Sequence, residues 1–186
     1  DSLKSDVTDI IEQTQHLSQT IDDFRNFFKP NKFKDEVNVS DVFKETLSVI
    51  EKSFQNSNIS IENDFQTTTK IEIFSRELLQ VFLNILKNAK EALVESQVKE
   101  KKISNKIYED EKNIIIEISD NGDKITDDVM HQIFNPYFST KDEKNGTGLG
   151  LYMSKVIIEK HLYGTIEVEN RVNNVCFTIK LPKNII

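Results

Sequence analysis

The chain has 186 residues, 37% of them hydrophobic and 30% charged, with a formal charge of −7 at pH 7. These values suit a soluble protein with one α/β domain and a smaller additional element, or with one large domain. The negative charge argues against a general nucleic-acid binder, because such a protein needs a basic face. The single cysteine, Cys176, excludes an internal disulfide and a cysteine zinc cluster, and no apolar run approaches the ~20 residues that cross a bilayer.

The first part of the chain predicts one long helix that needs a partner. Its apolar positions follow an unbroken heptad-like spacing and are Leu3, Val7, Ile10, Thr14, Leu17, Ile21, Phe24 and Phe28. A single helix cannot bury such a seam alone, so it must pack on its own domain, on a missing helix or on a second copy; we favour a dimerising bundle. His16 is followed by Leu17 instead of an acid that would orient the imidazole, and we interpret it as a solvated residue rather than a phosphate acceptor.

The body of the chain alternates between strand and helix patterns. Strand-like apolar patterns predict strands over 33–39, 59–65, 70–74, 103–108, 113–119, 164–170 and 175–181, of which 113–119 is apolar enough to be central in a sheet. Helical periodicity predicts helices over 41–53, from 75 onward, 126–134 and 151–161, with Ser40, Ser75 and Thr126 as N-caps. Cys176 lies in a strand pattern, and we interpret it as a small core or face residue.

The long helix that starts at Ser75 carries a polar stripe on an otherwise apolar surface. Its members recur at helical spacing and therefore share one face; they are Gln80, Asn84, Asn88, Glu91 and Glu95. Asparagine is a mediocre helix former, so two of them on one face suggest a purpose. The stripe either faces solvent or lines a cleft, where an amide oxygen could meet a hard metal ion.

Two glycine-containing turns follow strongly patterned segments. An apolar strand ends in the turn Asp120-Asn121-Gly122-Asp123. An acid at such a position either binds a ligand through its carboxylate or is a simple turn residue. Asn145-Gly-Thr-Gly-Leu-Gly-Leu151 opens a helix. Such a run either forms only a turn or presents backbone N–H groups to an anion.

Together these stretches resemble the ATP-binding domain of sensor histidine kinases, within the GHKL ATPase superfamily, over nearly all of residues 33–182. The family's boxes are matched in order: the N box by Asn84-Ile-Leu-Lys-Asn88-Ala-Lys-Glu-Ala92, the first glycine box by Asp120-Asn-Gly122, the F box by Phe134-Asn-Pro-Tyr-Phe138-Ser-Thr-Lys141, and the second glycine box by Gly146-Thr-Gly148-Leu-Gly150-Leu. The resemblance implies an α/β (α+β) two-layer sandwich, with a mixed sheet packed on helices in a Bergerat-like fold. It also implies a catalytic domain over residues 32–186, preceded over 1–31 by the second helix of a dimerisation and phosphotransfer hairpin.

The resemblance assigns roles to the matching residues. It implies that Asp120 accepts a hydrogen bond from the adenine amine and that Gly122 lets the backbone approach the base. Asn88 is expected to supply its amide oxygen to Mg²⁺, with Asn84 supporting the phosphates or metal-bound water. The phosphates are expected to meet the remaining matched residues, of which Lys141 is also expected to act in the chemistry: Lys141, Lys144, Gly146, Thr147, Gly148, Leu149 and Gly150.

Asn84 also bears on the type of reaction. Hydrolysing members of the superfamily have a glutamate at this place, whereas an amide cannot accept a proton from water. The resemblance therefore implies a kinase that uses ATP and Mg²⁺, with a histidine on a missing helix as acceptor and an aspartate of a response regulator as the next carrier. Alternatives are a degenerate nucleotide-binding regulatory module and an ATPase that hydrolyses ATP.

The family context also yields expectations about the whole protein. The chain begins at Asp1, and we interpret it as a piece of a longer cytoplasmic or inner-membrane-anchored protein that forms a homodimer through residues 1–30. We expect no contact with nucleic acid, and none with a membrane from this piece. Lys124 departs from the family pattern, which usually has glycine there; its side chain could crowd the adenine pocket, alter the turn or point to solvent.

Overall fold

The structure is a computed structural model, and it describes residues 33–140 and 147–184. The predicted N-terminal helix with its dimerisation seam and His16 lies outside these residues, as do Lys141, Lys144 and Gly146. The division of the chain at residues 31 and 32 therefore stays a prediction. No helix within the described ranges is both long enough and apolar enough to span a bilayer.

Seven strands and four helices make up the described part of the chain. The strands are β1 (Asp35–Asn38), β2 (Ile59–Phe65), β3 (Lys70–Ile73), β4 (Lys101–Glu109), β5 (Asn113–Asp120), β6 (Thr165–Asn170) and β7 (Val175–Pro182). The helices are α1 (Val39–Gln55), α2 (Ser75–Glu95), α3 (Asp127–Met130) and α4 (Gly150–Val156), which continues as a π-helical turn, Ile157–His161.

The strands form a mixed five-stranded sheet and a separate two-stranded one. In the larger sheet the order is β2-β4-β5-β7-β6; β2 runs parallel to β4, and the other neighbours are antiparallel. The smaller sheet pairs β1 with β3 in antiparallel register. This confirms the predicted mixed sheet.

The core lies between one face of the larger sheet and a layer of helices. Along β5 the alternate residues Ile114, Ile116 and Ile118 are buried, as a strand with one face against a core requires. They belong to one cluster with apolar residues of α1, α2 and α4. Helix α2 contacts both α1 and α4, so it occupies the middle of the helical layer, and the predicted two-layer sandwich is confirmed.

The structure corrects the predicted helix starts. Asn38, not Ser40, caps α1, because its Oδ1 accepts a hydrogen bond from the Ser40 backbone N–H at 2.8 Å. Helix α2 has no side-chain cap, and the hydroxyl of Ser75 instead donates to Asp35 Oδ2 at 2.6 Å. Thr126 occupies the predicted N-cap position of α3 but makes no cap hydrogen bond, and α3 ends at Met130, short of the predicted end near residue 134.

Candidate functional site

The polar stripe of α2 faces a cavity of about 300 Å³. All five of its residues line the cavity wall: Gln80, Asn84, Asn88, Glu91 and Glu95. The cleft alternative for the stripe is therefore the correct one, and a solvent-facing stripe is wrong. The cavity lining also contains apolar side chains, namely Ile125, Val129, Ile133, Phe138, Met153, Val175 and Phe177. Apolar walls with a few polar groups are typical of small-molecule sites.

At one end of the cavity lies the carboxyl group of Asp120, the last residue of β5. The residue is only 4% exposed, and its Oδ1 accepts a hydrogen bond from the Gly122 backbone N–H at 3.0 Å. Burial raises the pKa of Asp120 from 3.8 to about 6, and the bond from Gly122 offsets part of that rise. A buried carboxyl with a perturbed pKa in a cavity is a good candidate for ligand recognition.

Gly122 leaves no room for a side chain behind Asp120. A Cβ at this position would lie 2.8 Å from Asp120 Oδ1 and 3.6 Å from the carbonyl carbon of Ala92 on α2. Gly122 therefore keeps the turn close both to α2 and to the Asp120 carboxyl group. Lys124 is exposed and is not among the cavity-lining residues, so its side chain does not crowd this end of the site.

Two asparagines to which the sequence pattern assigns no function fix the position of this turn through hydrogen bonds to backbone. Asn121 accepts a hydrogen bond from Lys102 N at 2.8 Å and donates to the Glu100 carbonyl, also at 2.8 Å. Asn170, at the end of β6, accepts from Ile125 N at 3.0 Å and donates to the Ile125 carbonyl at 2.6 Å. Because each side chain binds backbone on another element, the two fix the segment from Asp120 to Ile125 relative to the sheet.

Asn84 and Asn88 lie eight and four residues before Ala92, the residue of α2 that the Gly122 turn approaches, so about 12 Å of helix separates Asn84 from the Asp120 end of the cavity. The side-chain nitrogen of Asn88 donates to the Asn84 backbone carbonyl at 2.9 Å, and that of Asn84 donates to the Gly150 carbonyl at 3.1 Å. A carbonyl can only accept, so both amides are oriented with nitrogen toward the backbone. Within residues 33–140 and 147–184, neither Oδ1 has a recorded hydrogen-bond partner.

The amide oxygens of Asn84 and Asn88 suit a magnesium ion that is shared with phosphates. Amide oxygens are hard ligands, and Mg²⁺ is usually held by one or two protein oxygens together with phosphates and water. The described residues contain no group of three or more His, Cys, Asp or Glu side chains arranged for a metal. The residues could therefore hold Mg²⁺ together with a phosphorylated ligand, but they do not form a closed protein cage.

The described end of the glycine run forms a further part of the cavity wall. Thr147, Gly148, Leu149 and Gly150 all line the cavity, and Gly150 is the first residue of α4. Gly148 has φ +63°, and a Cβ there would lie 2.5 Å from the carbonyl carbon of Tyr137. Only glycine fits this close approach, so residue 148 brings the run against the backbone of residues 137–138.

The structure brings most of the predicted site residues to one cavity. Those that line it are Asn84, Asn88, Asp120, Thr147, Gly148, Leu149 and Gly150. Gly122 supports Asp120 from behind, and Lys141, Lys144 and Gly146 lie outside the described residues. Sequence reasoning did not find the apolar contributions of Val175 and Phe177. Their alternation along β7 was the available signal, but it did not reveal which cavity they face.

The chain also matches known proteins. Residues 74–185 match the family model described as "Histidine kinase-, DNA gyrase B-, and HSP90-like ATPase". Sensor histidine kinase ZraS of Salmonella typhimurium is 31% identical over 179 residues, which cover 92% of this chain and 36% of that protein. The curated relatives are longer, and the chain spans 20% to 36% of their lengths.

Solved structures show the same likeness. The nucleotide-free catalytic domain of histidine kinase ThkA has a TM-score of 0.73 at 28% identity, covering 81% of this chain and 95% of that one. Histidine kinase ThkA in complex with response regulator protein TrrA has a TM-score of 0.78 at 24% identity, covering 99% of this chain and 52% of that one. The second likeness is one of fold alone.

Proposed function

The chain belongs to the histidine kinase-, DNA gyrase B- and HSP90-like ATPase family, and on that basis we propose that it is the catalytic region of a two-component sensor histidine kinase. It binds ATP with Mg²⁺ and donates the γ-phosphate to a histidine carried by a helical bundle. The observation that carries the proposal is one cavity with the buried Asp120 carboxyl at one end and the amide groups of Asn84 and Asn88 at the other. A carboxylate acceptor near one end suits the adenine amine, and amide oxygens that can hold Mg²⁺ suit the phosphate end.

Asp120 recognises the adenine end. Its carboxylate accepts a hydrogen bond from the exocyclic amine, which guanine lacks at that position, while the apolar wall covers the faces of the base. The backbone N–H of Gly122 binds one carboxylate oxygen, so the other is available to the nucleotide. This arrangement supports selection of adenine over guanine.

Asn88 and Asn84 serve the phosphate end. Their oxygens would hold Mg²⁺, which supplies charge neutralisation to the phosphates when bound. The backbone of residues 147–150 lies beside them and can donate N–H groups to phosphate oxygens. Lys141, Lys144 and Gly146 complete the phosphate contacts in this proposal.

Asn84 favours transfer to a protein histidine over hydrolysis. Its amide cannot take a proton from water, and the acids of α2 that line the cavity, Glu91 and Glu95, lie seven and eleven residues further along the helix. Neither His131 nor His161 lines the cavity, so the acceptor histidine must come from another segment. Catalysis then consists mainly of positioning the γ-phosphate and neutralising its charge.

The partners and the compartment are part of the same proposal. ThkA, whose catalytic domain resembles this chain, was solved with the response regulator TrrA, which supports a receiver domain as the next phosphate carrier. The seam over residues 1–30 supports a homodimer of the longer protein. We place the reaction in the cytoplasm because ATP and response regulators are found there.

A titration of the 186-residue chain with ATP in the presence of Mg²⁺ tests the proposal. Asp120→Ala and Asn88→Ala are each expected to weaken binding by about tenfold or more, because each removes a hydrogen bond or ligand to a charged group. Asp64→Ala is the matched control, since it removes an exposed carboxylate of β2 that does not line the cavity. Absence of binding at millimolar ATP or ADP, or steady hydrolysis at enzymatic turnover, would contradict the proposal.

A further inference from the structure

The buried side of α4 carries a serine that does not touch the cavity. Ser154 is 0% exposed and is not among the lining residues. Its hydroxyl donates to the Gly150 carbonyl at 2.9 Å and lies 3.2 Å from the side-chain nitrogen of Asn84. The same nitrogen donates to the Gly150 carbonyl at 3.1 Å, so the three groups form a closed hydrogen-bond ring between α2 and α4.

Donor and acceptor counts fix the direction of every bond in this ring. The single hydroxyl hydrogen of Ser154 is used on the Gly150 carbonyl, so Ser154 Oγ must act as acceptor toward Asn84. Both hydrogens of the Asn84 amide nitrogen are then used, one on each partner. The reverse amide orientation would place two acceptor oxygens, Asn84 Oδ1 and the Gly150 carbonyl, against each other.

We propose that Ser154 is a positioning residue for the phosphate end of the site, which holds the Asn84 amide with its oxygen available to the cavity and ties that amide to the first turn of α4. The inference rests on the proposed function, because it concerns how Asn84 meets the ligand. Ser154 acts only through Asn84 and Gly150, since it has no access to the cavity itself.

Loss of the hydroxyl should loosen the amide without removing the helix. In Ser154→Ala the Asn84 nitrogen keeps one partner, the Gly150 carbonyl, and the amide is free to rotate about that single bond. Alanine is the best helix former, so α4 should persist. The adenine end of the cavity, at Asp120, has no part in the ring.

The test compares two nucleotides on two variants. Ser154→Ala is expected to weaken binding of ATP with Mg²⁺ by about fivefold, the effect of one lost hydrogen bond. Binding of AMP, which lacks the distal phosphates, should stay unchanged. Thr46→Val is the matched control. Thr46 is 0% exposed, and its hydroxyl donates to the Val42 carbonyl at 2.9 Å on α1. The substitution therefore removes a hydroxyl-to-carbonyl hydrogen bond of the same kind, but on a helix that does not carry Asn84.

A double-mutant cycle separates positioning through Asn84 from a general structural role. In the Asn84→Ala background, Ser154→Ala should have no further effect on ATP binding. If Ser154→Ala lowers the melting temperature enough to complicate the titration, Ser154→Cys keeps the volume and weakens both hydrogen bonds, and it should show the same selective loss.

The outcomes distinguish this inference from the proposed function. If the parent chain does not bind ATP, both the proposed function and this inference are wrong. If the parent chain binds ATP and the Ser154→Ala variant binds it equally well, only the inference about Ser154 is wrong. It would also be overturned by a loss that is equal for AMP and ATP or that persists in the Asn84→Ala background.

Discussion

Asp120 is the residue at which burial and ligand recognition oppose each other. Its carboxyl is buried with one hydrogen bond from backbone, so the charged form is disfavoured and the pKa rises to about 6. In the proposed function, however, adenine needs the charged form as a hydrogen-bond acceptor. The same burial that destabilises the ionised group would also strengthen a bond to adenine, because competing water is excluded.

We expect the affinity for ATP to fall as the pH drops below about 6, the pKa of Asp120 in the free protein, because protonation removes the acceptor. The measurement is a titration with ATP and Mg²⁺ between pH 5 and 8. Asp120→Asn serves as control, since it carries no titrating group here and reports the ionisation of the phosphates themselves. Parallel pH profiles for the parent and the variant would contradict this role of Asp120.

The same group should make the ligand-free chain less stable at neutral pH. The folded protein retains a proton on Asp120 up to about pH 6, whereas an ordinary aspartate loses it near 3.8. Below about pH 4 Asp120 is protonated in both the folded and the unfolded chain, so its burial does not lower the free energy of unfolding. As the pH rises through 6, the free energy of unfolding falls by about 3 kcal/mol in total. Asp120→Asn should raise the free energy of unfolding at pH 7.5, with a difference that shrinks toward pH 4 in urea titrations.

Lys124 is the residue at which this chain departs from the family pattern. Its side chain is exposed and does not line the cavity. Lys124→Gly should therefore leave the ATP dissociation constant within about twofold of the parent, a change typical of surface substitutions. Fluorescence competition with a labelled nucleotide is sufficient to measure it. A large gain in affinity would show that the lysine obstructs the adenine end after all.

At the scale of elements, the glycine run works through its contact with the loop before it. Gly148→Ala should destabilise the chain by about 1–3 kcal/mol and weaken ATP binding, because it combines a positive φ with a Cβ only 2.5 Å from Tyr137. Thermal unfolding and ATP titration measure the two effects. Gly150→Ala is the control within the same run: its Cβ would lie 3.7 Å from Asn84, an ordinary contact, and the backbone N–H is kept. Equal effects of both substitutions would contradict this account.

The elements show which parts of the site a sequence can reveal. The stripe from Gln80 to Glu95 was predictable because helical spacing alone places its members on one face. The strands were predictable because their alternation reflects burial of one face. The hydrogen bonds between the Asn170 side chain and the Ile125 backbone were not predictable, because they join residues 45 positions apart. Ser40 and Ser75 were wrong as caps, since Asn38 lies in the capping position and Asp35 attracts the Ser75 hydroxyl.

At the scale of the whole molecule, the chain should bind ATP without labelling itself. His131 and His161 lie away from the cavity lining, and His161 is bound to Glu77 at 2.8 Å. We expect no acid-labile phosphohistidine after incubation with radiolabelled ATP and Mg²⁺. A label on His16, identified by mass spectrometry, would show that the acceptor lies within the chain. A longer protein that includes an acceptor helix is the positive control.

The parallel pairing of β2 with β4 links the cavity to the order of folding. The chain between these strands contains β3 and α2, so the helix with both asparagines forms the crossover that parallel strands require. Pairing between segments so far apart in sequence is slow, because loop entropy is lost before the contacts form. Nucleotide binding should therefore not precede formation of the sheet during refolding, and a fluorescent ATP analogue would report the moment at which the sheet is complete.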